Sequence, residues 1–109
     1  MDSGSLLRLI SESTRHAILA RLRQGEQTVG ELVVALVDEQ SNLSHHLAAL
    51  RKAGLVAARK EGRTQRYRLS DPEVAKLLDQ VDGLANRIDQ VGYTAALGIP
   101  VEPGFSGYG

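Results

Sequence analysis

Hydrophobic residues recur at helical spacing in the middle of the chain. In the stretch SNLSHHLAALRKAGLV, Leu43, Leu47 and Leu50 fall at positions i, i+4 and i+7, which marks the buried face of a helix. We expect this helix to run from about Gln40 to Ala53 and to end at the glycine that follows, because glycine suits a left-handed cap.

Three further helices are predicted before this one. Leu6, Leu7 and Ile10 indicate a short opening helix, and ESTRHAILARLRQG indicates a second helix that stops at its glycine. Thr28 and Glu31 stand at the spacing of a capping box, so TVGELVVALV is predicted to form the third helix.

An extended segment follows the leucine-spaced helix. LVAARKEGRTQRYRLS predicts a β-hairpin with two arms around Glu61 and Gly62, with Tyr67 and Leu69 on the inward face. The exposed positions of both arms are basic.

The last predicted helix is long, in SDPEVAKLLDQVDGLANRIDQV. Asp71 before Pro72 marks its start, and Ser70 and Glu73 fit a second capping box. Its apolar residues keep to one face and form a stripe longer than a small core needs. A second copy of the same helix is the expected cover.

Length and composition indicate one small domain, residues 1–97, followed by a flexible Gly/Pro-rich tail, residues 98–109. The chain has 109 residues, of which 42% are hydrophobic and 24% charged, as in an ordinary soluble protein. It has no cysteine, which excludes disulfides and thiolate metal sites. No apolar run approaches the roughly 20 residues of a membrane span, so we expect a cytoplasmic protein.

Charge is concentrated in the middle third of the chain, although the formal net charge is zero. Residues 51–68 carry seven basic side chains and one acidic one, a local charge of +6, and the segments on either side are acidic. Such a patch favours binding to phosphate.

Four segments resemble the ArsR/SmtB-type bacterial transcriptional regulators: STRHAILARL, TVGELVVAL, SNLSHHLAALRKAGLV and KEGRTQRYRLS. The resemblance covers about residues 5 to 90 and is most specific from Ser44 to Leu69. It implies a winged helix-turn-helix, mainly α with a small β-hairpin wing, that forms a homodimer through its terminal helices. It also implies binding to double-stranded operator DNA, altered by an inducer that is usually a metal ion.

The helix from Gln40 is predicted to enter the major groove, because its face opposite the leucines is small and polar. The wing cations would lie along the phosphate backbone and supply affinity without sequence information. The predicted DNA-contacting residues are Gln40, Ser41, Asn42, Ser44, His45, Lys52, Arg59, Lys60, Arg63 and Arg66. The predicted dimer interface comprises Leu6, Leu7, Ile10, Leu77, Leu78, Val81, Leu84 and Ile88.

The adjacent histidines are expected to have different roles, because neighbours on a helix point about 100° apart. His45 would face DNA, or else plain surface, and His46 would pack at the edge of the core. The same divergence separates Ser44 from His45, and the chain has no phosphate-cradling loop or HExxH motif, so we expect no enzyme.

A complete metal site is not evident. Asp71 and Glu73 match the start of one metal site of the family, but Leu84 and Arg87 occupy its later positions, so helix capping explains the two acids as well. His16 is either a core histidine or a ligand. If a metal is sensed, nitrogen and oxygen donors favour Ni, Co or Zn.

Two further expectations follow. The glycine usual for this family in the helix-turn-helix turn is replaced near Val37, which predicts a differently shaped turn. The alternative to a DNA-binding regulator is a winged-helix protein–protein interaction module, or a regulator whose sensing is supplied by an accessory protein. The +6 segment argues against the module.

Overall fold

The computed structural model describes residues 1–88, and within them the chain forms five helices and a three-stranded antiparallel sheet. The elements in chain order are α1 (Ser3–Ser11), α2 (Ser13–Leu22), β1 (Gln27–Thr28), α3 (Val29–Leu36), α4 (Gln40–Lys52), β2 (Val56–Glu61), β3 (Thr64–Leu69) and α5 (Pro72–Arg87). This order confirms the predicted winged helix-turn-helix. The predicted domain end at residue 97 and the predicted tail, residues 98–109, lie outside the described residues. None of the described helices is long and apolar enough to cross a membrane.

The helix-turn-helix and the wing share one compact unit, Met1–Ala75, and the part of α5 from Lys76 onward belongs to a second. In the first unit α4 packs against α2 and α3. Each fully buried leucine or isoleucine contributes roughly 1.5–3 kcal/mol by leaving water. The buried apolar side chains of this unit are Ile10, Ile18, Leu19, Leu22, Leu32, Leu43, Leu47, Leu50, Val56 and Val74.

Local signals fix the ends of α3 and α4. The Thr28 hydroxyl accepts a hydrogen bond from the Glu31 amide at 3.1 Å, and the Glu31 carboxylate accepts one from the Thr28 amide at 2.9 Å, which confirms the predicted capping box. After α4, Gly54 has a φ of 87°, and the Leu55 amide reaches back to the Leu50 carbonyl at 3.0 Å. The predicted glycine cap of α4 is therefore also confirmed.

The predicted capping box of Ser70 with Glu73 is wrong. The Ser70 hydroxyl donates instead to the carbonyl of Gly54, and the Ser70 amide donates to Leu55 at 3.0 Å. The Glu73 amide is capped by the Asp71 carboxylate at 2.9 Å. The chain that leaves β3 returns to the end of α4, and this brings the serine to an acceptor distant in sequence. Asp71 is left as the local cap of α5.

The sheet has the strand order β1-β3-β2. The hairpin of β2 and β3 was predicted, but β1 was not, because two residues are too short for a periodic signal. Gln27 of β1 pairs with Tyr67, and Thr28 pairs with Arg66. This pairing attaches the wing to the residues that precede α3.

Candidate nucleic-acid interface

The face of α4 opposite the core carries only small or polar side chains. Leu43, Leu47 and Leu50 are at most 1% exposed and fix the orientation of the helix. At about 100° per residue the opposite face holds Ser41, His45, Ala48 and Lys52, and all four are exposed, as is the flanking Ser44. The structure therefore presents the predicted polar face of α4 to solvent.

Asp38 organises the start of α4. Its carboxylate accepts hydrogen bonds from the Glu39 amide at 2.7 Å and from the Asn42 side-chain nitrogen at 3.0 Å. Glu39, the N-cap residue, makes no side-chain capping bond, so Asp38 supplies an acceptor there. Because a carboxylate only accepts, the amide of Asn42 is held with its nitrogen toward Asp38. Sequence reasoning placed Asn42 at the interface but missed the residue that orients it.

The turn between α3 and α4 contains an unusual valine. Val37 ends α3 with φ 52° and ψ 58°, and its side chain is 90% exposed. This left-handed conformation is one that glycine adopts without strain and a β-branched residue does not. The turn thus places Val37 in a conformation that glycine adopts freely, and the expectation of a differently shaped turn stays a prediction.

His46 belongs to a junction of three helices. Its side chain is 13% exposed, and its Nδ1 lies 3.2 Å from Nη1 of Arg15 and 3.7 Å from the carboxylate of Glu12. A guanidinium only donates, so Nδ1 is the acceptor in the shorter contact. Arg15 also donates to the carbonyls of Leu9 and Arg8 at the end of α1. His46 packs at the edge of the core, as expected, while His45 is exposed.

The pairing of β2 with β3 places two arginines directly opposite each other on one face of the wing. In the register of β2 and β3, Arg59 is directly opposite Arg66, and Glu61 is opposite Thr64 on the same face. Like charges directly opposite each other destabilise a hairpin. Glu61 offsets this repulsion, because its Oε2 lies 3.3 Å from Nη1 of Arg59 and 2.9 Å from Nε of Arg66.

Two glutamates from outside the hairpin complete this group. Glu26 lies 3.0 Å from Nη2 of Arg59, and this hydrogen bond raises the pKa of that guanidinium above its ordinary value. Glu31, the capping glutamate of α3, lies 3.3 Å from Nη1 of Arg66. We call the group of Glu26, Glu31, Arg59, Glu61 and Arg66 the wing clamp. Its three acids outnumber its two bases.

The opposite face of the wing carries uncompensated charge. Lys60 and Gln65 are cross-strand partners there, and Gln65 accepts a hydrogen bond from Arg51 of α4 at 3.2 Å, so this face is the one beside α4. Arg63 lies in the turn after Gly62, whose φ is 62°. Lys60 and Arg63 are exposed, and within residues 1–88 neither forms an ion pair.

The predicted metal candidates are not brought together as a site. Among the residues the structure describes, no three His, Cys, Asp or Glu side chains lie close enough to hold a metal ion. The carboxylate of Asp71 is occupied as a cap of α5, and His16 is half-buried in α2.

The predicted dimer residues divide into two groups. Ile10 and Leu78 are 7% and 2% exposed in the single chain, so they are not open surface, and Leu6 and Leu77 are half-buried. The exposed members are Leu7 at 57%, Val81 at 39%, Leu84 at 50% and Ile88 at 43%. These four of the eight predicted residues are exposed in the single chain, and the interface itself stays a prediction.

Comparison with known proteins agrees with this architecture. Residues 12–58 match the model of the family described as bacterial regulatory protein, arsR family. The chain is 42% identical over 77 residues to the HTH-type transcriptional regulator NmtR of Mycobacterium tuberculosis, covering 71% of this chain and 64% of NmtR. It is 41% identical over 85 residues to the transcriptional activator HlyU of Vibrio cholerae, covering 78% of this chain and 79% of HlyU. The chain thus spans less than two thirds of the length of NmtR but most of HlyU.

Solved structures of bacterial proteins are also similar to this chain. The crystal structure of Rv0081 from Mycobacterium tuberculosis has a TM-score of 0.75 at 34% identity, over 78% of this chain and 86% of that one. A homodimeric winged helix-turn-helix DNA-binding domain from Mycobacterium bovis has a TM-score of 0.65 at 32% identity, over 79% and 88%. The chain belongs to the arsR family of bacterial regulatory proteins.

Proposed function

We propose that this protein is a transcriptional regulator of the ArsR/SmtB type that binds operator DNA as a homodimer. The observation that carries the proposal is the exposed polar face of α4, beside a wing face whose cations have no internal partner. The solved structures in the comparisons share this fold, and none of the regulators named there is an enzyme. We therefore propose no catalytic activity.

In this proposal α4 enters the major groove and its exposed face contacts base edges. Ser41, Ser44 and His45 offer donors and acceptors there, and Asn42 offers an amide whose orientation Asp38 holds. Recognition helices use their N-terminal residues for base contacts, which is where these side chains lie.

The wing supplies phosphate contacts. Three exposed cations of the wing form no ion pair within residues 1–88: Lys60, Arg63 and Arg68. Lys60 and Arg63 lie nearest the hairpin turn, so they are the wing residues that we expect to meet the DNA backbone. Arg59 and Arg66 were predicted to do the same, but each is engaged with two glutamates in the free protein. We place Lys60 and Arg63 at the backbone and treat Arg66 as a brace between the wing and α3.

A homodimer explains the apolar side chains that a single chain leaves in water. Leu84 and Ile88 on α5 and Leu7 on α1 are each more than 40% exposed. Burying such side chains against a second copy removes them from water and places two recognition helices on one duplex. The homodimeric structure from Mycobacterium bovis supports this state.

A response to Ni, Co or Zn stays a prediction. The side chains of residues 1–88 provide no three-ligand group, so no step of regulation is derived from a metal. An accessory protein as the source of sensing stays a prediction in the same way.

The test is fluorescence anisotropy with duplex DNA from the region upstream of its own gene, at 50 and 200 mM salt, with and without each metal. We expect salt-sensitive, sequence-preferring binding. Arg63→Ala should weaken binding to every sequence and reduce the slope of log K against log salt by about 0.9. His45→Ala should change the preference among sequences instead.

Arg8→Ala is the matched control, because it removes an exposed arginine from α1 instead of the wing. If the slope of log K against log salt is the same for Arg63→Ala and Arg8→Ala, the proposed wing contact is wrong. Absence of binding to any duplex at 50 mM salt would overturn the regulator and favour the interaction module.

A further inference from the structure

The wing clamp engages two of the hairpin's cations, Arg59 and Arg66, whereas Lys60, Arg63 and Arg68 form no ion pair within residues 1–88. One face presents Lys60 beside α4, and the other presents Arg59 and Arg66, each in contact with two carboxylates. A local charge counted along residues 51–68 includes all of these bases, but the fold adds Glu26 and Glu31 to the same surface. The positive charge available to DNA is therefore smaller than the sequence count.

The clamp is not a device for stability. The side chains of Arg59, Glu61 and Glu31 are about half exposed, at 51%, 46% and 51%. Ion pairs this exposed contribute little to the free energy of unfolding, because water and salt screen them. Because these ion pairs are weak, a phosphate can compete with the carboxylates for an arginine of the wing clamp. Removing one or two of the carboxylates should therefore shift this competition toward the phosphate.

We propose that Glu26 and Glu61 limit the affinity of this protein for DNA of any sequence by holding Arg59 away from the phosphate backbone. The inference rests on the proposed DNA-binding function and adds to it residues that limit sequence-independent affinity. Phosphate contacts raise the affinity for every sequence equally, so each one withheld leaves a larger share of the binding energy to base contacts. The glutamates thereby lower the affinity for the operator and for bulk DNA by the same factor, and they leave the ratio of the two affinities unchanged.

The physical basis is competition for one guanidinium. Arg59 has two carboxylates within 3.3 Å, both supplied by its own chain. A phosphate must displace them before it can be bound, and the displaced acids would then lie beside the backbone unpaired. Arg66 has the same arrangement with Glu31 in place of Glu26, but Glu31 also caps α3, so it is a poor site for a test.

The decisive variant is Glu26→Gln/Glu61→Gln, which removes both acids that contact Arg59 and nearly preserves their shape. On a duplex of random sequence we expect the slope of log K against log salt to steepen by about 0.9, the value for one added phosphate contact. The gain in affinity should then be about 3.5 times larger at 50 mM than at 200 mM salt. The ratio of operator to random affinity should stay the same, because the added phosphate contact carries no sequence information.

The same pair of substitutions in an Arg59→Gln background separates the clamp from simple repulsion. If the glutamates act through the arginine, they should change the slope only when Arg59 is present. Asp79→Asn/Asp82→Asn controls for net charge, because it raises the charge by the same amount on exposed positions of α5. Unchanged circular dichroism and unfolding midpoint would show that the variants are folded.

Two results would overturn the inference while leaving DNA binding intact. One is an equal gain in affinity with and without Arg59, which would mean that the acids repel phosphate directly. The other is a slope in the double variant equal to that of the wild type. Failure of the wild type to bind any duplex would instead overturn the proposed function, and this inference with it.

Discussion

Replacing Val37 by glycine should make this protein more stable. Val37 is held at φ 52° and ψ 58°, where the Cβ of an L-residue crowds the following carbonyl. Glycine adopts this conformation freely. The residue that follows α4 also has a positive φ, and there the residue is a glycine, Gly54, at φ 87°.

The magnitude follows from two opposing effects. Relief of the left-handed conformation gains about 1–2 kcal/mol. A glycine in the unfolded chain is more flexible, which costs about 0.4–1 kcal/mol. The Val37 side chain is 90% exposed, so almost no burial is lost. The expected net gain is about 1 kcal/mol, or a rise in melting temperature of about 4–8 °C.

The measurement is thermal and urea unfolding followed by circular dichroism at a fixed protein concentration, because a dimer unfolds in a concentration-dependent way. Val34→Gly is the matched control, since it makes the same chemical change at a helical and 79% exposed position of α3. There glycine should destabilise the protein by about 0.3–1 kcal/mol. A loss of stability at both positions would refute the argument from backbone strain.

Three other outcomes are expected. The pKa of Glu31 lies below its ordinary value of 4.5, chiefly because its carboxylate accepts a hydrogen bond from the Thr28 amide. The ionised form thus stabilises the fold above about pH 4.5 and this contribution is lost as the pH falls further, so the stability difference between wild type and Glu31→Gln should shrink in urea unfolding from pH 6 to pH 3. Asp38→Ala should weaken discrimination at the base that Asn42 contacts, as measured by competition with single-base variants of the operator; unchanged discrimination would mean that Asp38 does not orient the amide. Leu84→Glu should shift the protein from dimer to monomer in sedimentation velocity, because the side chain is half exposed in the single chain and a buried charge there is costly; a dimer of undiminished stability would exclude Leu84 from the interface.

Much of this molecule was predictable from local pattern. The leucine spacing placed α4 and its polar face, the capping box placed the start of α3, and the alternation around Gly62 placed the wing. Each of these depends on residues a few positions apart, whose relation is set by the helical or extended period alone. The same locality explains why Gly54 was correctly expected to end α4.

The wrong or missing predictions concern residues whose hydrogen-bond partners are distant in the sequence. Ser70 was expected to cap α5, but the fold offered it the carbonyl of Gly54, 16 positions away. The strand β1 was missed because it exists only through its pairing with Tyr67 and Arg66. Val37 is a different case, because its own preference would not predict the left-handed conformation that it adopts in the turn between α3 and α4.

By itself the sequence determined the order of elements, the buried face of α4 and the excess of basic residues in residues 51–68. Each of these depends only on residues that are close to one another in the sequence. Only the tertiary structure decided which of those bases are free to meet DNA. Glu26 and Glu31 reach Arg59 and Arg66 across 33 and 35 positions of chain. Charge acts through space and not along the sequence, so its balance at the wing was settled only when the chain folded.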